Sequence, residues 1–190
     1  MSKVTLVTGG ARSGKSVYAE QLAQKSGGAD VLYLATAVIV DEEFARRVAK
    51  HKARRSIAWA TEERYKDFAA LKDKEAFLQA KTVLLDCVGF ALNNALYDTL
   101  SDWDNPSEDE IELAENNLCK EVQTLVEICR KENKNLIMVT NEVGDSLIPD
   151  NRISRAFRDA LGRSNCLAAS LSDSVIRMTC GLSTELKEGK

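Results

Sequence analysis

The stretch Gly9-Gly10-Ala11-Arg12-Ser13-Gly14-Lys15-Ser16 fits G-x-x-x-x-G-K-[ST] and lies between an apolar run, Val4 to Val7, and a helix-like segment beginning near Lys15. Strand, glycine-rich loop and helix in that order form a phosphate cradle. The glycines let backbone N–H groups turn inward around an anion, and the following helix presents its positive end. In this reading Lys15 reaches the outer phosphates and the Ser16 hydroxyl joins the shell of a Mg²⁺ ion. At ordinary residue frequencies such a match arises by chance in about half a percent of chains this long, so the flanking strand and helix make a ligand-free glycine turn the weaker reading.

Short β-branched or apolar runs recur at Val4 to Val7, Val31 to Ala35, Ile57 to Ala60, Thr82 to Leu85, Leu136 to Val139 and Val175 to Met178, separated by helix-like or turn-like sequence. Nearly continuous apolar strands alternating with helices predict an α/β chain of the P-loop NTPase kind, a mostly parallel central sheet with helices on both faces. A chain of 190 residues suits one nucleotide-binding catalytic domain over residues 1–190. Ser107-Glu108-Asp109-Glu110 reads as a capping box opening a helix that ends near Lys131. Along it Ile111, Ala114, Leu118, Val122, Leu125, Val126 and Cys129 form one apolar stripe, which is scaffold. Asp41, Glu42 and Glu43 open another helix whose far end carries Arg46, Arg47, Lys50, Lys52, Arg54 and Arg55, an order that complements the macrodipole. Asp98 to Pro106 breaks periodicity and reads as a mobile surface connection, and Pro149 precedes the last long helix.

The bulk properties exclude alternatives. Five cysteines, Cys87, Cys119, Cys129, Cys166 and Cys180, contain no C-x-x-C pair and leave one over in any pairing, which predicts reduced, mostly buried thiols rather than a zinc site or a disulfide framework. No apolar segment has the length of a membrane span and none at the N-terminus reads as a secretory h-region, so the expected location is cytoplasmic. A net charge of -3 gives no support for nucleic-acid binding.

Three further residues carry potential chemistry. Asp86 closes the run Thr82-Val83-Leu84-Leu85-Asp86, where the sheet is expected to bring a carboxylate next to the phosphate loop to hold Mg²⁺ directly or through water; a solvated turn acid is the alternative. His51 is the single histidine, flanked by Lys50, Lys52, Arg54 and Arg55. Those cations disfavour the imidazolium and so leave a nitrogen lone pair for attack, while attracting a triphosphate. A water-exposed basic helix end would account for the same run. Glu142 reads equally as an acceptor-orienting base or a solvated turn residue. Arg152, Arg155, Arg158 and Arg163 either approach the site or decorate an exposed helix face, and Trp59 and Trp103 read as packing residues.

Taken together, Val7 through Ser16, Val31-Leu32-Tyr33-Leu34-Ala35-Thr36-Ala37, Arg47 through His51-Lys52, Thr140-Asn141-Glu142-Val143-Gly144, Phe157-Arg158-Asp159 and Gly162-Arg163-Ser164-Asn165 occur in one order. From Val4 to about Leu182 the chain resembles the bifunctional adenosylcobinamide kinase/adenosylcobinamide-phosphate guanylyltransferase family. The resemblance implies phosphorylation of adenosylcobinamide with ATP or GTP, then transfer of GMP from GTP to adenosylcobinamide phosphate through a GMP-histidine, giving adenosylcobinamide-GDP in cobalamin biosynthesis or salvage. It implies His51 as nucleophile and Lys15 as the phosphate-binding catalytic residue. Nucleotide contacts are implied at Gly9, Gly10, Ala11, Arg12, Ser13, Gly14, Lys15 and Ser16, at Ala35, Thr36 and Ala37, at Lys52, Ala53, Arg54 and Arg55, and at Glu63 and Asp86. Ser16 and Asp86 are the implied metal residues, and a homotrimer the implied assembly. The chain departs from relatives in lacking hydroxyl residues in Cys87-Val88-Gly89-Phe90-Ala91 and in carrying Asp86 where some use Glu. A P-loop small-molecule kinase without nucleotidyl transfer and a nucleotide-binding regulatory protein are the competing readings.

Overall fold

The computed structural model describes residues 2–38, 42, 45–46, 48–49, 52 and 56–188. Seven strands form one sheet in the order β3-β2-β4-β5-β1-β6-β7, with β1 Val4–Gly9, β2 Val31–Ala35, β3 Ala60–Glu63, β4 Thr82–Asp86, β5 Asn135–Asn141, β6 Ser174–Thr179 and β7 Leu182–Lys187. Every pairing is parallel except β6 with β7. The continuously described helices are α1 Lys15–Gly27, α2 Glu75–Gln79, α3 Val88–Thr99, α4 Glu108–Lys131 and α5 Arg152–Leu171, with a 3-10 helix at Phe68–Asp73.

Period-two alternation along each central strand divides the apolar side chains between two cores. Leu32, Leu34, Val83, Leu85, Leu136 and Met138 join Leu92, Leu118, Val122 and Leu161 on the side of α3, α4 and α5. Val31, Tyr33, Leu84, Ile137 and Val139 join Ala19 and Ala23 of α1 on the other. Both faces are covered, as the near-continuous apolar strands predict. Phe68, Leu71 and Phe77, all fully buried, seal the margin of the larger core.

The predicted capping box is present: Ser107 Oγ accepts from Glu110 N–H at 3.2 Å, and Glu110 Oε2 accepts from Ser107 N–H at 3.1 Å. Of the stripe on α4, Ala114, Leu118, Val122, Leu125, Val126 and Cys129 are buried, while Ile111 packs half-buried at its start.

Four sequence expectations change. The third strand starts at Ala60, not Ile57, because Ser56 to Trp59 turn: Trp59 N–H donates to the Ser56 carbonyl, its indole N–H donates to Gly28 at 3.0 Å, and Ile57 is fully exposed. The seventh strand, β7, was not anticipated; as an exposed edge strand it has no apolar run, and its signal is the two-residue turn Cys180-Gly181, both at positive φ as a tight hairpin requires. The 98–106 connection is tied down rather than loose. Asp98 accepts from Lys66 at 2.7 Å, Asp102 Oδ1 accepts from Asp104 N–H at 2.9 Å, Ser101 donates to Glu110, and Trp103 lies on Tyr97 with ring centroids 4.2 Å apart. The five cysteines are all unpaired, with Cys87 and Cys129 buried, but Cys166 and Cys180 are exposed. Among the described residues no helix is long and apolar enough to cross a membrane.

The Ser101 hydroxyl and the Ser107 and Ser101 N–H groups hold the Glu110 carboxyl far below its ordinary 4.5, at about 2. A depressed carboxyl contributes stability that is fully present above its unfolded range and is lost as pH falls from about 4.5 toward about 2. Glu110→Gln should therefore flatten the acid limb of a stability profile followed by denaturant melts, leaving the profile above pH 5 parallel to wild type.

Candidate active site at the phosphate loop

β1 delivers the chain into the loop at Gly9. A Cβ there would lie 2.6 Å from the Met178 carbonyl oxygen of β6 and 2.6 Å from Ser13 Oγ, so only glycine lets the loop close against the sheet. Ser13 N–H donates to Gly10 at 3.3 Å, and Gly181 N–H in the β6–β7 turn donates to the Ser13 carbonyl at 3.0 Å. Gly14, left-handed at φ 94°, then turns the chain into α1 with no side-chain cap. Uncapped N–H groups at this helix start are the donors an anion would take. The Ser13 hydroxyl, buried, has no hydrogen-bond partner among the described residues and fits the same demand.

Lys15 donates to the Gly10 carbonyl at 3.1 Å, its ammonium folded over the loop. Burial pushes the Lys15 pKa down, and the nearby Cys87 and Asp86 oppose that shift. Register places Asp86 level with Val139 and Val139 level with Val7, so the acid stands two strands from the phosphate strand with β5 between, about 10 Å away. β4 is therefore not the immediate neighbour of β1, yet its end lies beside the loop as expected, since Asp86 walls one cavity with Lys15 and Ser16. The Lys15 cation feels the Asp86 charge from its place over the loop.

Around Asp86 the ends of β2 and β4 are stitched together. Tyr33 OH donates to Asp86 Oδ2 at 2.5 Å. Thr36 N–H donates to the Asp86 carbonyl at 3.2 Å, Thr36 Oγ1 accepts from Cys87 N–H at 2.8 Å and donates to the Cys87 carbonyl at 2.7 Å, and the Thr36 carbonyl accepts from Asn94 at 2.7 Å. Thr36 is buried with each of its polar groups already engaged, so what it lends the site is position. Burial, then the Asp86 charge, push the Cys87 thiol up to about 12, which keeps it protonated and without nucleophilic character near neutral pH.

These elements open on one cavity of 530 Å³, within the range of small-molecule sites. Its walls bring together Lys15, Ser16, Ala35, Thr36, Ala37, Lys52, Glu63 and Asp86 from the predicted set. Lys52 and Glu63 form an exposed 2.8 Å ion pair at the rim. Gly9, Gly10, Ala11, Arg12, Ser13 and Gly14 form the loop beneath. His51, Ala53, Arg54 and Arg55 lie outside the described residues, as do Asp41, Glu43, Arg47 and Lys50 of the same segment, in which Glu42, Ala45, Arg46, Val48, Ala49 and Lys52 are helical.

Sequence reasoning missed Tyr33, Val38, Val48, Arg64, Tyr65, Phe90 and Asn141, which line the same cavity. Tyr33 and Asn141 could have been found, since each lies within three residues of a strand's C-terminal end, where open α/β sheets place ligands. Other candidates resolve elsewhere. The Glu142 carboxylate accepts from Gly144 N–H at 2.6 Å in its own turn. Arg163 grips Glu115 of α4 through both carboxylate oxygens, and Arg155 donates to the Pro149 carbonyl at 2.9 Å. With Arg152 they line a separate groove between α4 and α5.

Comparison with known proteins adds sequence relatives. A family model described as cobinamide kinase / cobinamide phosphate guanyltransferase matches residues 5–186. The chain is similar to the bifunctional adenosylcobalamin biosynthesis protein CobU of Escherichia coli (strain K12), 37% identical over 96% of this chain and 98% of that protein. It is likewise similar to the protein of that name from Salmonella typhimurium, 35% identical over 96% of this chain and 98% of that one. The bifunctional adenosylcobalamin biosynthesis protein CobP of Pseudomonas aeruginosa is 36% identical over 96% of both chains.

The Gly9 contact separates two neighbouring glycines. Gly9→Ala should lower stability by about 1–3 kcal/mol in denaturant melts and weaken nucleotide binding measured by calorimetry, because a backbone carbonyl must move. Gly10→Ala, whose new methyl meets nothing within 4 Å, should leave the melt unchanged.

Proposed function

The chain belongs to the cobinamide kinase / cobinamide phosphate guanyltransferase family, and we propose that a single phosphate cradle serves both of its reactions. It is a bifunctional enzyme of cobalamin biosynthesis, acting on adenosylcobinamide as a kinase and on adenosylcobinamide phosphate as a guanylyltransferase. The observation that carries the one-cradle reading is the convergence of Lys15, Ser16, Asp86 and Lys52 on one cavity.

In the kinase step the aminopropanol hydroxyl of adenosylcobinamide attacks the γ-phosphorus of ATP or GTP, and the nucleoside diphosphate leaves. Loop N–H groups and Lys15 hold the charge that develops on the transferring oxygens. Catalysis of this kind is chiefly positioning and electrostatics, which a half-buried lysine folded over a glycine loop supplies.

In the guanylyl step the neutral imidazole of His51 attacks the α-phosphorus of GTP, forming a P–N bond as pyrophosphate leaves. The phosphate of adenosylcobinamide phosphate then attacks the same phosphorus, breaking the P–N bond and returning the imidazole. The basic run Lys52, Arg54 and Arg55 next to His51 in sequence suits the binding of a triphosphate. Lys52, Ala53, Arg54, Arg55 and Glu63, with Ala35, Thr36 and Ala37 at and after the end of β2, complete the nucleotide contacts in this reading.

Ser16 and Asp86 would hold Mg²⁺. The donor set fits, since Mg²⁺ takes one or two protein oxygens and fills its shell from phosphates and water. When bound, the ion neutralises charge on the phosphates. A homotrimer in the cytoplasm is the assembly and setting that goes with this reading, and sedimentation equilibrium tests the former.

Incubation with α-labelled GTP checks the division of labour. Acid-labile label should remain on the wild-type protein and vanish from His51→Ala, which should keep much of the kinase rate. Lys15→Ala should depress both activities. Equal loss of both in the histidine variant would refute the division, and a wild-type protein that retains no label would leave a kinase alone.

A further inference from the structure

Tyr33 occupies the middle of β2, only 1% exposed, packed among Ala19, Leu84 and Cys87 on the α1 face of the sheet. Tyr33 pairs with Leu84, and Asp86 is two residues further along β4, so both project from the same face and the phenol runs along the sheet toward the strand end. There its hydroxyl donates to Asp86 Oδ2 at 2.5 Å, and both residues wall the cavity with Lys15 and Ser16. Among the described residues Asp86 Oδ1 accepts no hydrogen bond, so the carboxylate has one oxygen held and one presented. An aspartate side chain at a strand end would otherwise sample several rotamers, each turning a different edge toward the metal.

We infer that Tyr33 is a positioning residue for the nucleotide's divalent cation: its phenol clamps one oxygen of Asp86 and leaves the other aimed at the metal shell. This rests on the reading of Asp86 as a metal-holding residue. Partners of metal-ligating groups commonly change metal affinity without touching the ion, because they fix the ligand's orientation. Tyr33 differs from a core residue that merely happens to carry a hydroxyl in that its effect on the metal should pass through Asp86.

Mn²⁺ binding to the complex of the protein with a non-hydrolysable GTP analogue, followed by electron paramagnetic resonance, separates these possibilities. Tyr33→Phe keeps the ring and should weaken Mn²⁺ binding about tenfold, while calorimetric affinity for the analogue in EDTA stays within about twofold of wild type. Asp86→Asn should weaken Mn²⁺ at least as much, and the Tyr33→Phe/Asp86→Asn double variant should be no weaker than Asp86→Asn alone. Additive losses, or an unchanged Mn²⁺ affinity in Tyr33→Phe beside a weakened Asp86→Asn, would overturn the role of Tyr33. An unchanged Asp86→Asn would instead remove Asp86 from the metal site, and the inference with it.

Discussion

At Gly9 the backbone passes so close to the Met178 carbonyl and the Ser13 hydroxyl that the α-carbon has room for a hydrogen and nothing more. The rest of the site follows from that approach. It lets β1 end in a loop folded against β6, with the β6–β7 turn holding the Ser13 carbonyl from the far side. Gly14 can then start α1 with its first N–H groups facing outward, and Lys15 lies back across the loop. A methyl group at position 9 would disturb every one of these relations through a single contact.

The second constraint is electrostatic. Lys15 is buried enough to lose some of its hold on its proton, and Cys87 and then Asp86, at the end of β4, oppose that loss. Lys15 and Asp86 can act together because parallel strands end at a common level, which is why the C-terminal edge of such a sheet collects charged groups. Hydrogen bonds from Tyr33 and Thr36 then extend the pairing of β2 and β4 beyond Ala35 and Asp86 into one wall of the site. Precision at the phosphates thus depends on side chains without charge of their own.

Much of this was legible in the residues themselves. The phosphate loop, six of the seven strand positions to within a few residues, the α4 capping box and its buried stripe depend on local pattern, and local pattern is what sequence records. The two edge strands were the weak points. β3 and β7 carry mixed polar sequence because an edge needs little apolar surface, and the exposed Ile57 imitated a strand residue beside a turn. Thr36 shows a different limit: its place after β2 was readable, but its engagement with Cys87 and Asn94 joins residues more than fifty positions apart. Arg155 and Arg163 likewise read equally as site residues or as an exposed helix face until the loop at Pro149 supplied a carbonyl and α4 supplied Glu115.

By itself, then, the order of residues determined the cradle, the class of sheet and the family resemblance, since each is written in short contiguous stretches whose spacing matches a backbone period or a turn. Only the tertiary structure decided that β5 stands between β1 and β4, that Tyr33 reaches the carboxylate, and that Arg155 and Arg163 of α5 are taken by a neighbouring loop and by α4. Those outcomes depend on strand order and on which helix covers which face, and both are settled by the packing of distant segments rather than by any local preference.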